Sequence, residues 1–449
     1  MQRIYLDHNA TTPVTPEVLA AMLPYFCEEY GNPTSIHAFG QRARGAVERA
    51  RASVAALLGA RPSEIIFTSG GTEADNAALL GSFGPWGTTQ KLPGAPQTNH
   101  AAVCKSPGHI ITTTIEHHAV LHTCQALERT GVRVTYVPVG CDGVVDPGDI
   151  RRALSADTVL ITVMHANNEL GTIQPLAEIG RIAAEAGVRF HTDAVQSAGK
   201  IPVDVGKLGV HLLSVSGHKF GAPKGVGALF VRARTQLDPI LHGGSNDRDR
   251  RAGTENVAAI VALGKAAELA SSQPDDGAAM SRIASMRDRL EQGLLARIPQ
   301  ASVNGGAAAR IPNTLNMLFP MIDSEALVIA LDLAGLACSA GAACSSGAVN
   351  PSHVLTAVGL SPAEARSSVR LTLGHANTED DISLALELIP AAVARQREVS
   401  AAWIAPRRET ISFSASPTGE LAGTADVPHP ARQPAQQPGW QPVREIDSL

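Results

Sequence analysis

The chain has 449 residues, 44% of them hydrophobic, which is enough for more than one packed core and too apolar for a disordered protein. Its formal net charge is −5 and its basic residues are scattered, apart from Arg248, Arg250 and Arg251, so it lacks the basic field that a nucleic-acid partner requires. No apolar run approaches the roughly 18 residues of a membrane span, and the start, Met1-Gln-Arg-Ile-Tyr5, has no apolar stretch of the secretory kind, so the expectation is a cytoplasmic protein without a membrane partner.

Taken in order, residues 1–15 read as extended and end in the polar turn Asn9-Ala-Thr-Thr-Pro13. Thr15 then caps a helix whose first position is Pro16. The loop Gly31-Asn-Pro-Thr-Ser35 leads to a long helix through Ala43–Leu58, with apolar residues at helical spacing and Gly59 as its stop. From there strand, loop and helix repeat. The candidate strands are Glu64–Thr68, His109–Thr113, Arg133–Val137, Thr158–Val163, Val188–Thr192, Val210–Val215 and Val226–Val231. Alternation of this kind predicts an α/β fold: a mostly parallel seven-stranded sheet covered on both faces, with ligands at the carboxyl ends of the strands. After Asn256 come the helices Val257–Ser271 and Met280–Ala296, short strands near Ala301–Asn304 and Thr314–Leu318, a helix over Asp323–Leu333, a strand Val369–Leu373 and a helix Thr378–Arg397. The expected division is a large domain over 16–256, a smaller α+β domain over 1–15 and 257–400, and a disordered proline-rich tail over 401–449. The proline-bearing stretch Gly84–Gly108 reads as a surface excursion.

Six cysteines are dispersed without a CxxC pair, which points to packing residues or incidental thiols rather than disulfides. Cys344 differs from the rest, because it lies among small residues, Ser339-Ala-Gly-Ala-Ala343 and Ser345-Ser-Gly347, in a setting that reads as mobile and accessible. Fifteen histidines include no HExxH, and the adjacent His117 and His118 cannot share a helix face as an i, i+4 pair does, so no metal site is expected.

The stretch from Ser214 to Phe230 sets one lysine, Lys219, in a turn rich in glycine between two apolar runs. It reads either as an ordinary loop lysine or as an imine-forming lysine whose amine is made available by desolvation and nearby cations. Pyridoxal phosphate on such a lysine makes further demands, and each has a candidate. Phe67–Asn76 runs through Gly71 and Thr72 into a helix whose N-terminus suits a phosphate. Asp193 ends a strand and can keep a pyridinium protonated. Asn168 and Gln196 can bond the phenolic oxygen, and His117 can stack on the ring and shuttle a proton. Each residue also has a plain structural reading: Thr72 as an N-cap, Asp193 as a turn former, His117 as a buried histidine, Asn168 as an Asx-turn residue.

The chain resembles the cysteine desulfurases of the NifS/IscS type over residues 3 to about 390. The likeness rests on Tyr5-Leu-Asp-His-Asn-Ala-Thr-Thr-Pro13, Gly31–His37, Thr68–Asn76, Glu116-His117, Asn167–Gly171, Asp193–Gln196, Ser216–Lys219, Arg251–Asn256, Ser339–Gly347 and Ser368–Gly374. The resemblance implies a fold-type I pyridoxal-phosphate transferase that is a homodimer. In it Lys219 is the imine lysine, Asp193 pairs the pyridine nitrogen and His117 stacks. Thr72, Ser216 and His218 hold the phosphate, joined by Thr254 of a second subunit, and Arg370 clamps the substrate carboxylate. It further implies that L-cysteine displaces Lys219 from the cofactor and that the freed lysine removes the Cα proton. The Cys344 thiolate then takes the sulfur as a persulfide for an acceptor protein such as an iron–sulfur scaffold or sulfur carrier, and alanine leaves. Cys338 is expected to be buried on a strand. Where relatives usually carry Gly-Gly-Gly-Gln-Glu-Arg-Gly, this chain has Gly243-Gly-Ser-Asn-Asp-Arg-Asp249. A selenocysteine lyase, another class V aminotransferase and a non-catalytic scaffold are the competing readings; Cys344 and His117 argue against an aminotransferase, whose chemistry needs neither.

Overall fold

Apolar runs bounded by glycine and polar turns become the strands of the large sheet. In the computed structural model, residues 3–83, 108–271, 278–340 and 351–404 are described. Most of the excursion expected at Gly84–Gly108, Cys344, and the expected tail from 405 onward lie outside them. Among the described residues no helix is long and apolar enough to cross a membrane.

A short strand β1 (Ile4–Tyr5) is followed by seven that share one sheet: β2 (Ile65–Thr68), β3 (His109–Thr113), β4 (Arg133–Val137), β5 (Thr158–Thr162), β6 (Arg189–Asp193), β7 (Leu212–Ser216) and β8 (Gly227–Val231). Their order is β2-β8-β7-β6-β5-β3-β4. Strands β3 to β7 run parallel, and β8 is antiparallel to both of its neighbours. Successive residues serve opposite faces, as a period of two requires. Ile65, Phe67, Ile111, Ile161, Leu213 and Phe230 meet the helices Ala38–Leu58, Leu176–Ala186 and Val257–Ser271. Ile66, Ile110, Leu160, Leu212 and Leu229 meet the helices Gly71–Leu80 and His118–Glu128.

The smaller sheet comprises β9 (Ser302–Val303), β10 (Thr314–Leu318), β12 (Ser339–Ala340) and β13 (Ser368–Thr372) in the order β12-β13-β10-β9, all antiparallel, while β1 pairs in parallel with β11 (Leu336–Ala337). Its core gathers Ile4 and Leu6 with Leu315, Met317, Leu371 and the helices Ala278–Arg297 and Glu379–Ile404. Cys338 is buried there, as expected, though it is the single residue between β11 and β12 and not part of either strand.

Two boundaries differ from expectation. The helix Val257–Ser271 packs in the core of the large sheet, so residue 256 does not separate the two cores. Its Gly264 lies so close to Ala50 that a Cβ there would stand 2.5 Å from the Ala50 Cα, a contact that only small residues allow. The last helix continues to Ile404, four residues into the stretch expected as tail. Residues Met1–Ile404 form one compact unit. The helix His353–Ala357 joins its two parts by packing Val354 and Leu355 on Ile115, Met164 and Leu170.

Candidate active site

Five strand ends deliver side chains to one place. Asp193 closes β6, Ser216 closes β7, and the 3-10 turn Gly217–Lys219 follows at once. The segment after β3 brings His117, the segment after β5 brings Asn168, and β2 leads through Gly70 into the helix Gly71–Leu80. Gly70 has φ 155° and ψ −178°, a backbone state that is essentially reserved for glycine. Gly227 lets that backbone come close, since a Cβ on it would lie 2.6 Å from the Val215 carbonyl oxygen and 2.8 Å from Gly70 Cα. Asp193, Ser216, Lys219, His117, Asn168 and Gly71, with Thr72, Gln196 and His218, line a cavity of about 240 Å³.

The cavity shifts the groups on its walls. Burial, then the charge of Arg370, lowers the pKa of Lys219 to about 8 against the pull of Asp193 and Asp7, so part of its amine is neutral near pH 7. Its Nζ donates to the carbonyls of Asn9 at 2.6 Å and Ala10 at 2.9 Å. Burial raises Asp193 to about 6, although its Oδ1 accepts the Val195 N–H at 2.8 Å and Lys219 lies near. Behind it, burial and then the charge of Asp193 push Asp75 well above the usual carboxylate range, and Asp75 Oδ1 lacks a hydrogen-bond partner. His117 opens onto the cavity. The protein packed around its ring, then Lys219 and the neighbouring histidines, hold it to about 4, so it is neutral. Its Nδ1 accepts the Ala119 N–H at 3.1 Å, which leaves the ring proton on Nε2. His218 is likewise neutral, lowered to about 4 by burial and by Lys219, Lys224 and Lys200.

The profile of the class-V aminotransferase family matches residues 4–384. The chain belongs to the cysteine desulfurases of that family. It is 47% identical to "Cysteine desulfurase IscS" of Methanosarcina thermophila, over 88% of this chain and 93% of that one. It is 45% identical to "Cysteine desulfurase 2" of Trichormus variabilis, over 92% of this chain and all of the relative. Among solved structures, an NifS-like protein aligns with a TM-score of 0.77 at 36% identity, over 88% of this chain and 100% of the other. The NifS-like protein of Rickettsia africae aligns with a TM-score of 0.76 at 31% identity, with the same coverage.

Cysteine desulfurases depend on pyridoxal phosphate, and the cavity fits it on its own chemistry. No side chain caps the helix Gly71–Leu80, so its first N–H groups stay open to a phosphate. A Cβ on Gly71 would lie 2.7 Å from Val195 Cγ2, so the backbone there passes as close to its neighbours as a cradle requires. The two crowded carboxyls, Asp193 and Asp75, gain from a cationic ring N–H beside them.

Arg370, on β13 and 1% exposed, donates to Asp7 Oδ1 at 2.8 Å and to the Asn168 carbonyl at 3.1 Å, while its Nε is unpartnered. Thr254 does not line the Lys219 cavity of its own chain. It lines a separate one of about 170 Å³ with Phe67, Thr68 and Arg251. The polar departure at 243–249 has a structural use: Asp247 lies 2.8 Å from the buried Arg51 guanidinium and accepts the Phe67 N–H at 2.8 Å. Sequence reasoning passed over Asn9 and Lys200. Asn9 accepts from Gln196, Lys219, Lys200 and Asn313 and donates to Asn168 and Thr314. The i, i+4 spacing of Gln196 and Lys200 was the available signal for the second.

Proposed function

We propose that this chain is a pyridoxal-phosphate-dependent cysteine desulfurase that converts L-cysteine to L-alanine, collects the sulfur on Cys344 as a persulfide and passes it to an acceptor protein. The reading is carried by one observation: Lys219 and Asp193 meet in a cavity at the carboxyl ends of parallel strands, in a member of the cysteine desulfurases. Bound pyridoxal phosphate supplies an aldehyde that captures an amine and a ring that withdraws electrons from the substrate Cα.

The protein's own residues do the rest. The open N–H groups at Gly71 and Thr72, with Ser216 and His218, hold the phosphate, and Asp193 keeps the ring nitrogen protonated. His117, neutral with its proton on Nε2, stacks on the ring and passes a proton. Asn168 and Gln196 donate to the phenolic oxygen. Arg370 receives the substrate carboxylate as a planar fork, a role favoured by its burial and its unpartnered Nε. Lys219, lowered to about 8, takes the Cα proton as a neutral amine. The Cys344 thiolate attacks the substrate sulfur with its lone pair: a sulfur–sulfur bond forms, and the carbon–sulfur bond breaks and leaves its electron pair with the three-carbon product. L-cysteine and one thiol thus become L-alanine and one persulfide. The small sheet and residues 1–15 serve as the domain that brings Arg370 and Cys344 to the large one. Persulfide chemistry on a free thiol suits the reducing cytoplasm.

The active form is a homodimer. Leu19, Leu23, Phe26, Tyr30, Ile36 and Phe39 crowd an unusual share of exposed apolar side chain into a short span, with Ile36 94% exposed. Thr254, which serves no cavity holding Lys219 in its own chain, then serves that of the partner.

Cys344→Ala tests the assignment. The holoprotein should keep the visible band of its cofactor and lose alanine and sulfide release from L-cysteine by at least about a hundredfold. Desulfuration at the parent rate by that variant would overturn the role of Cys344.

A further inference from the structure

Lys200 is a buried lysine without a carboxylate in ion-pair range among the described residues. It lies in the turn after β6, four residues beyond Gln196. Its Nζ donates to Gln196 Oε1 at 2.9 Å and to Asn9 Oδ1 at 3.0 Å. It lines a second cavity of about 380 Å³ that shares Lys219 with the first, so Gln196, which lines the first, is held from behind.

The chemistry of these atoms leaves the Gln196 amide one orientation. A lysine nitrogen bound in this way donates, and the Asn9 backbone carbonyl can only accept. Gln196 Nε2 donates to that carbonyl at 3.0 Å. A reversed amide would set oxygen against oxygen at Asn9 and N–H against N–H at Lys200. Asn9 is fixed by the same logic, since its Oδ1 accepts from Lys200 and Asn313 while its Nδ2 donates to the Asn168 carbonyl at 3.1 Å and Thr314 Oγ1 at 2.9 Å.

We propose that Lys200 is a positioning residue: it locks the Gln196 amide so that the wall of the cofactor cavity presents an N–H donor, not an oxygen, to the phenolic oxygen of the cofactor. The inference rests on the reading that pyridoxal phosphate is carried by Lys219. Lys219, Arg370, His8 and His218 face Lys200, and burial followed by the charge of Lys219 holds its pKa well below the ordinary lysine value. The lock survives loss of that proton, because a neutral amine keeps two donors for its two acceptors. Without Lys200, Gln196 Oε1 is a buried acceptor with nothing to accept, and it recovers a partner only by leaving its pose. A donor on the phenolic oxygen stabilises its negative charge and weakens its hold on the shared proton of the lysine–cofactor unit. That unit therefore titrates at a lower pH with Lys200 in place. The other charged and titratable groups facing it are Asp193, Asp7, Arg370, His117 and His218.

The test is a pH titration of the visible band of the full-length holoprotein. In Lys200→Met the midpoint should rise by about one pH unit, and Lys200→Arg, which keeps donors, should return it towards the parent. In a Gln196→Ala background, Lys200→Met should add no further shift. If Lys200→Met does not retain cofactor, Lys200→Gln, too short to reach Gln196, replaces it with the same expected shift. A normal band with an unmoved midpoint overturns this inference alone, and so does a shift that persists in full without Gln196. A parent protein with no visible band overturns both this inference and the reading on which it rests.

Discussion

Glu116, the neighbour of His117, is fully buried. Its Oε1 accepts the Thr113 hydroxyl at 2.6 Å and the Met164 N–H at 3.0 Å, while its Oε2 has no partner. Burial raises its pKa from 4.5 to about 8 in spite of those two bonds. The folded protein therefore holds a proton there that the unfolded chain releases, and stability falls as pH rises between those two values. Glu116→Gln keeps the acceptor and removes the titration. Relative to the parent it should gain stability progressively from about pH 4.5 to about pH 8 and then level off, by at least about 1 kcal/mol in all. Thermal unfolding across that range measures it, and a difference that does not vary with pH would show that the carboxyl is not protonated in the fold. At this scale the residues legible in the sequence were those whose position is local. Lys219, Asp193, Ser216 and Gly71 each sit at a strand end that an apolar run announces. Asn9 was not legible in that way, because every partner that makes it important lies more than 150 residues away and a short polar turn looks the same with or without them.

At the scale of elements, β8 shows how a strand can shape a loop that it does not carry. Adding a methyl group at Gly227 would press on the Val215 carbonyl and on Gly70, both backbone, and neither can swing aside. Gly227→Ala should move the turn ahead of the helix Gly71–Leu80 and weaken cofactor binding at least about tenfold, since overpacking of this kind costs roughly 1–3 kcal/mol. Fluorescence titration of the cofactor-free protein would measure it; unchanged affinity would mean that the turn yields without harm. The seven strands of the large sheet were readable to within one or two residues, because all but the half-buried edge strand β4 are buried on both faces and each is bounded by a glycine or a polar turn. The two-residue strands β1, β11 and β12 were not, for a pair of residues has no period to detect. The place of the helix Val257–Ser271 escaped for a related reason. It is apolar nearly all round and rich in alanine, so its sequence marks it as buried without saying which sheet buries it.

At the scale of the whole molecule, the apolar surface near the N-terminus sets the next experiment. Phe26→Asp with Ile36→Asp should convert a dimer to a monomer in sedimentation equilibrium while leaving the fold intact, as both side chains are exposed in the single chain. A parent protein that is already monomeric at micromolar concentration would overturn the dimer. The hydrogen bonds of Asn9 carry one more consequence, for the order in which the molecule comes into being. Its N–H is held by the Thr372 hydroxyl, 363 residues away, and its side chain by Asn313 and Thr314. The carbonyl that receives Lys219 is therefore anchored by parts of the chain that a ribosome makes long after it. Contacts of such separation close late, after the local helices and the large sheet. A nascent chain halted before Thr372 would own Lys219 and Asp193 yet lack the frame that aims them, and cofactor capture should wait until Thr372 has been made.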